Sequence, residues 1–420
     1  MRFKLFILLI LFLLPELAFA ATAKLEKHVS LINITRTTNQ TSYQSTADRE
    51  PIFFYDADAY DNVTAIYAEA VMRAGTAGDT AYMTLSTLAN VNVTGAEVTT
   101  TSTTNVNVRS GDIKANLTDS GEYRARWKCD NGAGGAPAGT CAFDQFRLII
   151  VQQGLITKTE TVIEIAEDNN VPSSATWADP ADHYIFEYDA DQYDGTVNVF
   201  LEADLHENSS GNTVQARLFD ITGGTHVSGS EVKDTGDTTT DRIRSSAFSL
   251  TDGRQYKAQT FASSTSDDLV AVKIVIQQTG SPSKTESYLS MLNTLSSGTA
   301  TAYDDQNREL QWDTSNWAGD STTYNWSSTL KVTANTGYSQ LFKRADGGEI
   351  STVTTTATSY TLVSNAGISL PAGDGNILDH QRKIDTSGTV SVARAFIVAR
   401  VSWSAAAAGE AAKQEIIWFD

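Results

Sequence analysis

The chain has 420 residues, a formal charge of -19, and only two cysteines. A surface this acidic repels a phosphate backbone, so nucleic acid is excluded as a partner. Acidic residues scattered through a Thr- and Ser-rich chain suit a protein kept soluble outside the cell.

Residues 1–20 carry Arg2 and Lys4, an apolar run from Leu5 to Leu14, and a small-x-small site at Ala18-Phe19-Ala20. This is the pattern of a cleaved secretory signal peptide, too short to span a membrane. Removing it takes away one net positive charge and leaves a mature chain of charge -20 with no segment expected to insert in a membrane.

The remainder says nearly the same thing three times. Phe54-Tyr55-Asp56-Ala57-Asp58-Ala59-Tyr60-Asp61 returns as Glu187-Tyr188-Asp189-Ala190-Asp191-Gln192-Tyr193-Asp194, and more loosely as Gln311-Trp312-Asp313-Thr314-Ser315-Asn316-Trp317. Leu117-Thr118-Asp119 with Tyr123 recurs at the same offset as Leu250-Thr251-Asp252 with Tyr256. Ile150 to Gly154 recurs as Val275 to Gly280, and a Lys-Thr-Glu follows each, at Lys158 to Glu160 and Lys284 to Glu286. Units of this length are domains and not solenoid turns, so the chain divides into 21–154, 155–280 and 281–420, expected as a rod or string of modules.

Within each unit the signals are those of strands. Val197, Val199, Leu201, Ala203 and Leu205 alternate with Asn198, Phe200, Glu202 and Asp204, a period of two. Phe146 to Val151 and Leu269 to Ile276 are apolar on nearly both faces, as expected for central strands covered by a second sheet. Gly223-Gly224 and Gly347-Gly348 mark hairpin tips. Short strands at regular spacing in units of this size predict an all-β protein of three tandem antiparallel β-sandwich domains, jelly-roll-like, rather than immunoglobulin-like sandwiches of nearer 100 residues. Cys129 and Cys141 flank a Gly/Ala insertion of the first repeat and are expected to form a disulfide stapling an enlarged hairpin tip.

The run Arg217-Leu218-Phe219-Asp220-Ile221-Thr222-Gly223-Gly224-Thr225-His226-Val227-Ser228-Gly229-Ser230-Glu231-Val232, leading to Arg244-Ser245-Ser246 and Leu250, resembles tandem β-sandwich repeats of secreted bacterial and phage-associated surface proteins. That resemblance implies a jelly-roll module for adhesion, glycan binding, or shell and filament building, and it carries no site residues.

Asp56, Asp58 and Asp61, with Asp189, Asp191 and Asp194, have a D-x-D-x-x-D spacing that places hard oxygens together, so they are candidate ligands of a structural calcium ion. The competing reading is that they cap turns and accept backbone hydrogen bonds. Five of the seven tryptophans, Trp312, Trp317, Trp326, Trp403 and Trp418, fall in the third unit. Trp312 and Trp317 replace the repeat tyrosines and read as framework. Trp326, with Tyr324, Asn316 and Asp320, is the candidate glycan platform. No H-E-x-x-H or G-x-S-x-G motif is present, and Glu69 and Glu202, which align between repeats, read as the solvent face of one strand, so the chain is expected to be non-catalytic. The tail Lys413 to Asp420 repeats the opening of a unit. Its Ile416, Ile417, Trp418 and Phe419 could pair with the chain's own sheet or add to a neighbouring copy and build a filament.

Overall fold

A computed structural model describes residues 23–32, 34–45, 50–167, 176–180, 184–236, 238–264, 268–292 and 295–403. Residues 1–20, expected as a signal peptide, and the tail residues Ile416, Ile417, Trp418 and Phe419 lie outside the described residues. Among the described residues there are strands and four short 3-10 turns, with no α-helix.

The first repeat has eight principal strands: Ala23–Ile32, Phe53–Tyr55, Val63–Arg73, Thr80–Thr87, Val98–Thr100, Val106–Arg109, Gly121–Asp130 and Cys141–Gly154. Counted along the repeat, they pair in the order first, eighth, third, sixth in one sheet and second, seventh, fourth, fifth in the other, every ladder antiparallel. This is the two-sheet jelly-roll order. The second and third repeats follow it, opening on Thr159–Ala166 and Lys284–Leu292 and closing on Asp268–Thr279 and Val390–Ser402. No named ladder crosses position 154 or 280.

Period-two alternation positions each core. In strand Thr196–His206, Val199, Leu201, Ala203 and Leu205 all point into the second sandwich. Gly224 and Gly347 sit at hairpin tips with φ of 69° and 72°, which only glycine adopts without strain. The disulfide joins Cys129 to Cys141 as expected, but it is not a staple within one hairpin. Cys129 lies one residue before the end of a strand of one sheet and Cys141 begins a strand of the other, so the bridge ties the two faces of the first sandwich.

The repeats do not form a string. The opening strands of all three come together, and the first packs against the third as well as against the second. Each core borrows from the next repeat: Val162 packs on the first core, while Tyr288, Ala393, Phe396 and Val398 belong to the second and Ala23 and Leu25 to the third. Burying an aromatic such as Phe396 in this way stabilises by about 1.5–3 kcal/mol. The expectation of a rod is therefore corrected to a closed, cyclic arrangement of three sandwiches, because apolar side chains at each boundary are completed only by the neighbouring repeat.

Candidate functional site

The acidic motif lies where this ring is joined. Asp56 Oδ1 accepts the Asp58 N–H at 2.9 Å and caps the short turn Ala57–Ala59, whose own first N–H donates to Asp119 at 2.8 Å. Asp189 and Asp252 repeat both bonds around Ala190–Gln192, at 3.1 and 2.8 Å. Asp61 accepts the N–H and hydroxyl of Thr157, in the segment leading to the second repeat. Asp194 does the same for Ser283, in the segment leading to the third. The motif's carboxylates thus hold turns and connections. Asp58 is left on the surface, and among the described residues no group of three His, Cys, Asp or Glu side chains is placed to hold a metal ion.

The aromatic residue closing each motif reaches the next repeat. The Tyr60 hydroxyl lies 3.4 Å from Glu160, and the Tyr193 hydroxyl donates to Glu286 at 2.9 Å. Trp317 packs in a cluster with Ala23 and Leu25 of the first repeat, while its neighbour Asn316 donates to Glu26 at 2.6 Å. Glu26, Glu160 and Glu286 occupy the same place on the three opening strands, opposite Val151, Gln277 and Arg400, and all three are buried. The third junction is the one that closes the circle, with Lys24 and Ala318 exchanging backbone hydrogen bonds at 2.8 Å. Gln152 donates to the carbonyls of Asp61 and Lys158, as Gln278 does to those of Asp194 and Lys284. Gln152 therefore corresponds to Gln278, one residue from the match that sequence alignment suggests.

Lys27 sits where the opening strands meet, only 2% exposed. Its ammonium donates to Thr161 Oγ1 at 2.7 Å, Thr285 Oγ1 at 2.9 Å and the Glu286 carbonyl at 2.5 Å, bringing all three repeats to one nitrogen. Burial pulls its pKa down to about 7 against the pull of Glu286 and Glu160. Burial likewise pushes Glu160 and Glu286 up, with Arg244 and Arg400 respectively opposing.

The polar face of the first repeat's inner sheet is covered by the third repeat. Arg147 donates to the carbonyls of Ser290 (2.8 Å) and Glu309, and Gln145 donates to that of Met291 at 2.9 Å. Glu69 is fully buried between Arg109 (2.8 Å) and Arg147 (3.3 Å). Burial pushes the Glu69 carboxyl up, but the two guanidiniums outweigh it and hold the group below its ordinary value. Arg109 also pairs with Asp313 of the third repeat. Glu202 is held at 2.6 Å by Arg242 and 2.9 Å by Arg244, and Arg400 bridges Asp189 and Glu286. Glu69 and Glu202 are therefore not a solvent face, since the adjacent sandwich excludes water from both.

The candidate glycan platform is not assembled. Trp326 is 0% exposed and donates its indole N–H to the Ser339 carbonyl at 3.2 Å, so neither ring face can meet a sugar. Tyr324 stands edge-on to Trp312 at 5.2 Å, and Trp312 and Trp317 stack at 5.5 Å as framework. Asn316 is engaged by Glu26, and Asp320 is exposed with its N–H on the Ser402 carbonyl. A separate open groove of about 640 Å³ runs along the third repeat past Lys343, Glu349, Asn365, Ile368 and Leu370, with no aromatic side chain in its lining.

Lys27, Arg147, Lys273 and the three glutamates were not singled out by sequence reasoning. The recurring Lys-x-Glu at 24–26, 158–160 and 284–286 was the available signal.

The fold and this junction define an all-β protein of jelly-roll sandwiches. No protein-family model matches the chain, and no curated protein matches it. Solved structures of several kinds resemble it at low TM-scores. The tandem CBM22 domains of Paenibacillus barcinonensis Xyn10C share 10% identity over 51% of this chain and 80% of theirs, with a TM-score of 0.19. An archaeal virus protein with a triple jelly-roll fold shares 6% identity over 89% and 91%, with a TM-score of 0.18. A Sulfolobus turreted icosahedral virus structure shares 8% over 90% and 92%, at 0.20. No helix among the described residues is long and apolar enough to cross a membrane.

Proposed function

We propose that this protein is a non-catalytic structural or adhesive building block of an extracellular or cell-surface assembly, in which three sandwiches act as one rigid body. The observation that carries this reading is the use of the buried charged residues. Lys27 and Arg147 bond across the repeat boundaries, and Glu69, buried within the first repeat, holds Arg147 in place. A rigid block with polar outer surfaces suits repetitive assembly, because little conformational entropy is lost when copies dock. Strand addition has available templates in the outer edge strands Gly348–Thr355 and Thr361–Ala366 of the third repeat.

The test is to concentrate residues 21–420 near neutral pH and follow light scattering and electron micrographs, with a glycan array run in parallel. Ordered particles, sheets or filaments support the reading. A chain that remains single at every concentration while binding a defined glycan overturns it in favour of a carbohydrate-binding protein.

A further inference from the structure

In the second repeat three buried side chains are arranged for a reaction with one another. Lys273 on the closing strand and Glu202 and Asp204 on strand Thr196–His206 share one sheet face, and the three are 2%, 4% and 0% exposed. Lys273 Nζ lies 2.8 Å from Asp204 Oδ2 and 4.0 Å from Glu202 Oε1. We propose that Lys273 and Asp204 condense into an intramolecular amide, a covalent cross-link between the third and eighth strands of this sandwich.

The hydrogen bonds around the pair already match the product. Asp204 Oδ2 accepts the Ile52 N–H at 3.0 Å, and Lys273 Nζ donates to the Ile52 carbonyl at 2.7 Å. A cis amide whose oxygen is Oδ2 and whose nitrogen is Nζ keeps both bonds, because its C=O and N–H point the same way, toward the N–H and C=O of Ile52. Asp204 Oδ1 is buried and has no hydrogen-bond partner, so the atom to be expelled is the one that nothing holds. Leaving it in place is costly, as is keeping two buried charges.

The chemistry balances without a co-reactant. The reacting pair is the neutral one, an amine beside a carboxylic acid, reached when one proton moves from Nζ to the Asp204 carboxylate. Burial pushes the Asp204 carboxyl up, with Lys273 opposing. The Nζ–Cγ bond forms, the Cγ–Oδ1 bond breaks, and one water leaves, with no change of oxidation state. Glu202, fixed through Oε2 by Arg242 and Arg244, presents Oε1 to Lys273 and is the group to carry the proton from nitrogen to the departing hydroxyl. Holding amine and carboxyl in contact removes most of the entropic barrier to condensation. The first repeat provides an internal contrast: Arg147 stands opposite Glu69 as Lys273 stands opposite Glu202, and Val71 replaces Asp204, so that repeat has neither nucleophile nor acyl group.

The test is the intact mass of the disulfide-reduced mature chain after incubation near neutral pH, followed by tryptic mapping. The expected result is a chain lighter than its sequence by one water, with a branched peptide joining Lys273 to Asp204 and no cleavage after Lys273. Lys273→Arg restores the full mass. Asp204→Asn, which can still fold and react, loses ammonia in place of water. Glu202→Gln slows the loss at least tenfold. A full-mass chain cleaved normally after Lys273 overturns the proposal, and so does a water loss mapped to Asp204 alone with Lys273 free, which would be a succinimide.

Discussion

Replacing Lys27 by Met removes a nitrogen that all three repeats share, and its effect should depend on pH in a calculable way. An exposed lysine titrates at 10.5, whereas burial among the opening strands lowers Lys27 to about 7. Between those values the unfolded chain binds a proton that the folded chain has released, so folding stability rises with pH through the window and is penalised below it. The full span corresponds to about 5 kcal/mol, and the part between pH ~6 and ~9 to roughly 2.5 kcal/mol. Lys27→Met abolishes that slope while leaving every other titrating group in place. It also takes a donor from Thr161, Thr285 and the Glu286 carbonyl, although Thr161 still donates to that carbonyl at 2.8 Å. Urea unfolding followed by tryptophan fluorescence at a series of pH values gives both curves. The wild-type minus variant difference should climb by roughly 2.5 kcal/mol from pH ~6 to ~9. Parallel curves would refute the assignment of a buried, near-neutral amine at the junction of the repeats.

Other perturbations probe the rest of the account. Trp326→Ala should cost about 3–5 kcal/mol, read as a lowered urea midpoint, because the indole fills the third core and its N–H is committed to Ser339. Removing the disulfide with Cys129→Ala and Cys141→Ala should cost about 2–3 kcal/mol for a separation of 12 residues, seen as a lower Tm that no longer responds to reductant. Arg109→Met should cost about 3 kcal/mol, since it strips Glu69 of one of two guanidiniums and Asp313 of its cross-repeat partner. Because Asp56, Asp61, Asp189 and Asp194 serve as caps and ties, chelation with EDTA should leave Tm unchanged; a rise of several degrees on adding calcium would restore the metal reading.

Much of the fold was legible in the sequence. The strand signals gave the all-β class, the alternation in 197–205 assigned the core face correctly, and the Gly pairs marked true hairpin tips. What escaped was the role of the other face. Alternation reports which side chains are apolar, but it does not say what covers the polar ones. Glu69 and Glu202 looked like a solvated stripe because their partners, Arg109, Arg147, Arg242 and Arg244, come from distant strands. Trp326 looked exposable because nothing local announces that it sits between two sheets. The disulfide pairing was legible, yet its span from sheet to sheet depended on strand order. Closure of the ring rests on contacts more than 200 residues apart, such as Arg109 with Asp313, which no local pattern encodes.

Small-angle scattering from single chains of residues 21–420 tests that closure most directly. One repeat of this length has a radius of gyration of about 14 Å, so three in a closed triangle give about 25 Å or less and three in a row roughly 33 Å. A value near the first is the account's prediction; a value near the second, with a pair-distance distribution drawn out to a long tail, would contradict it.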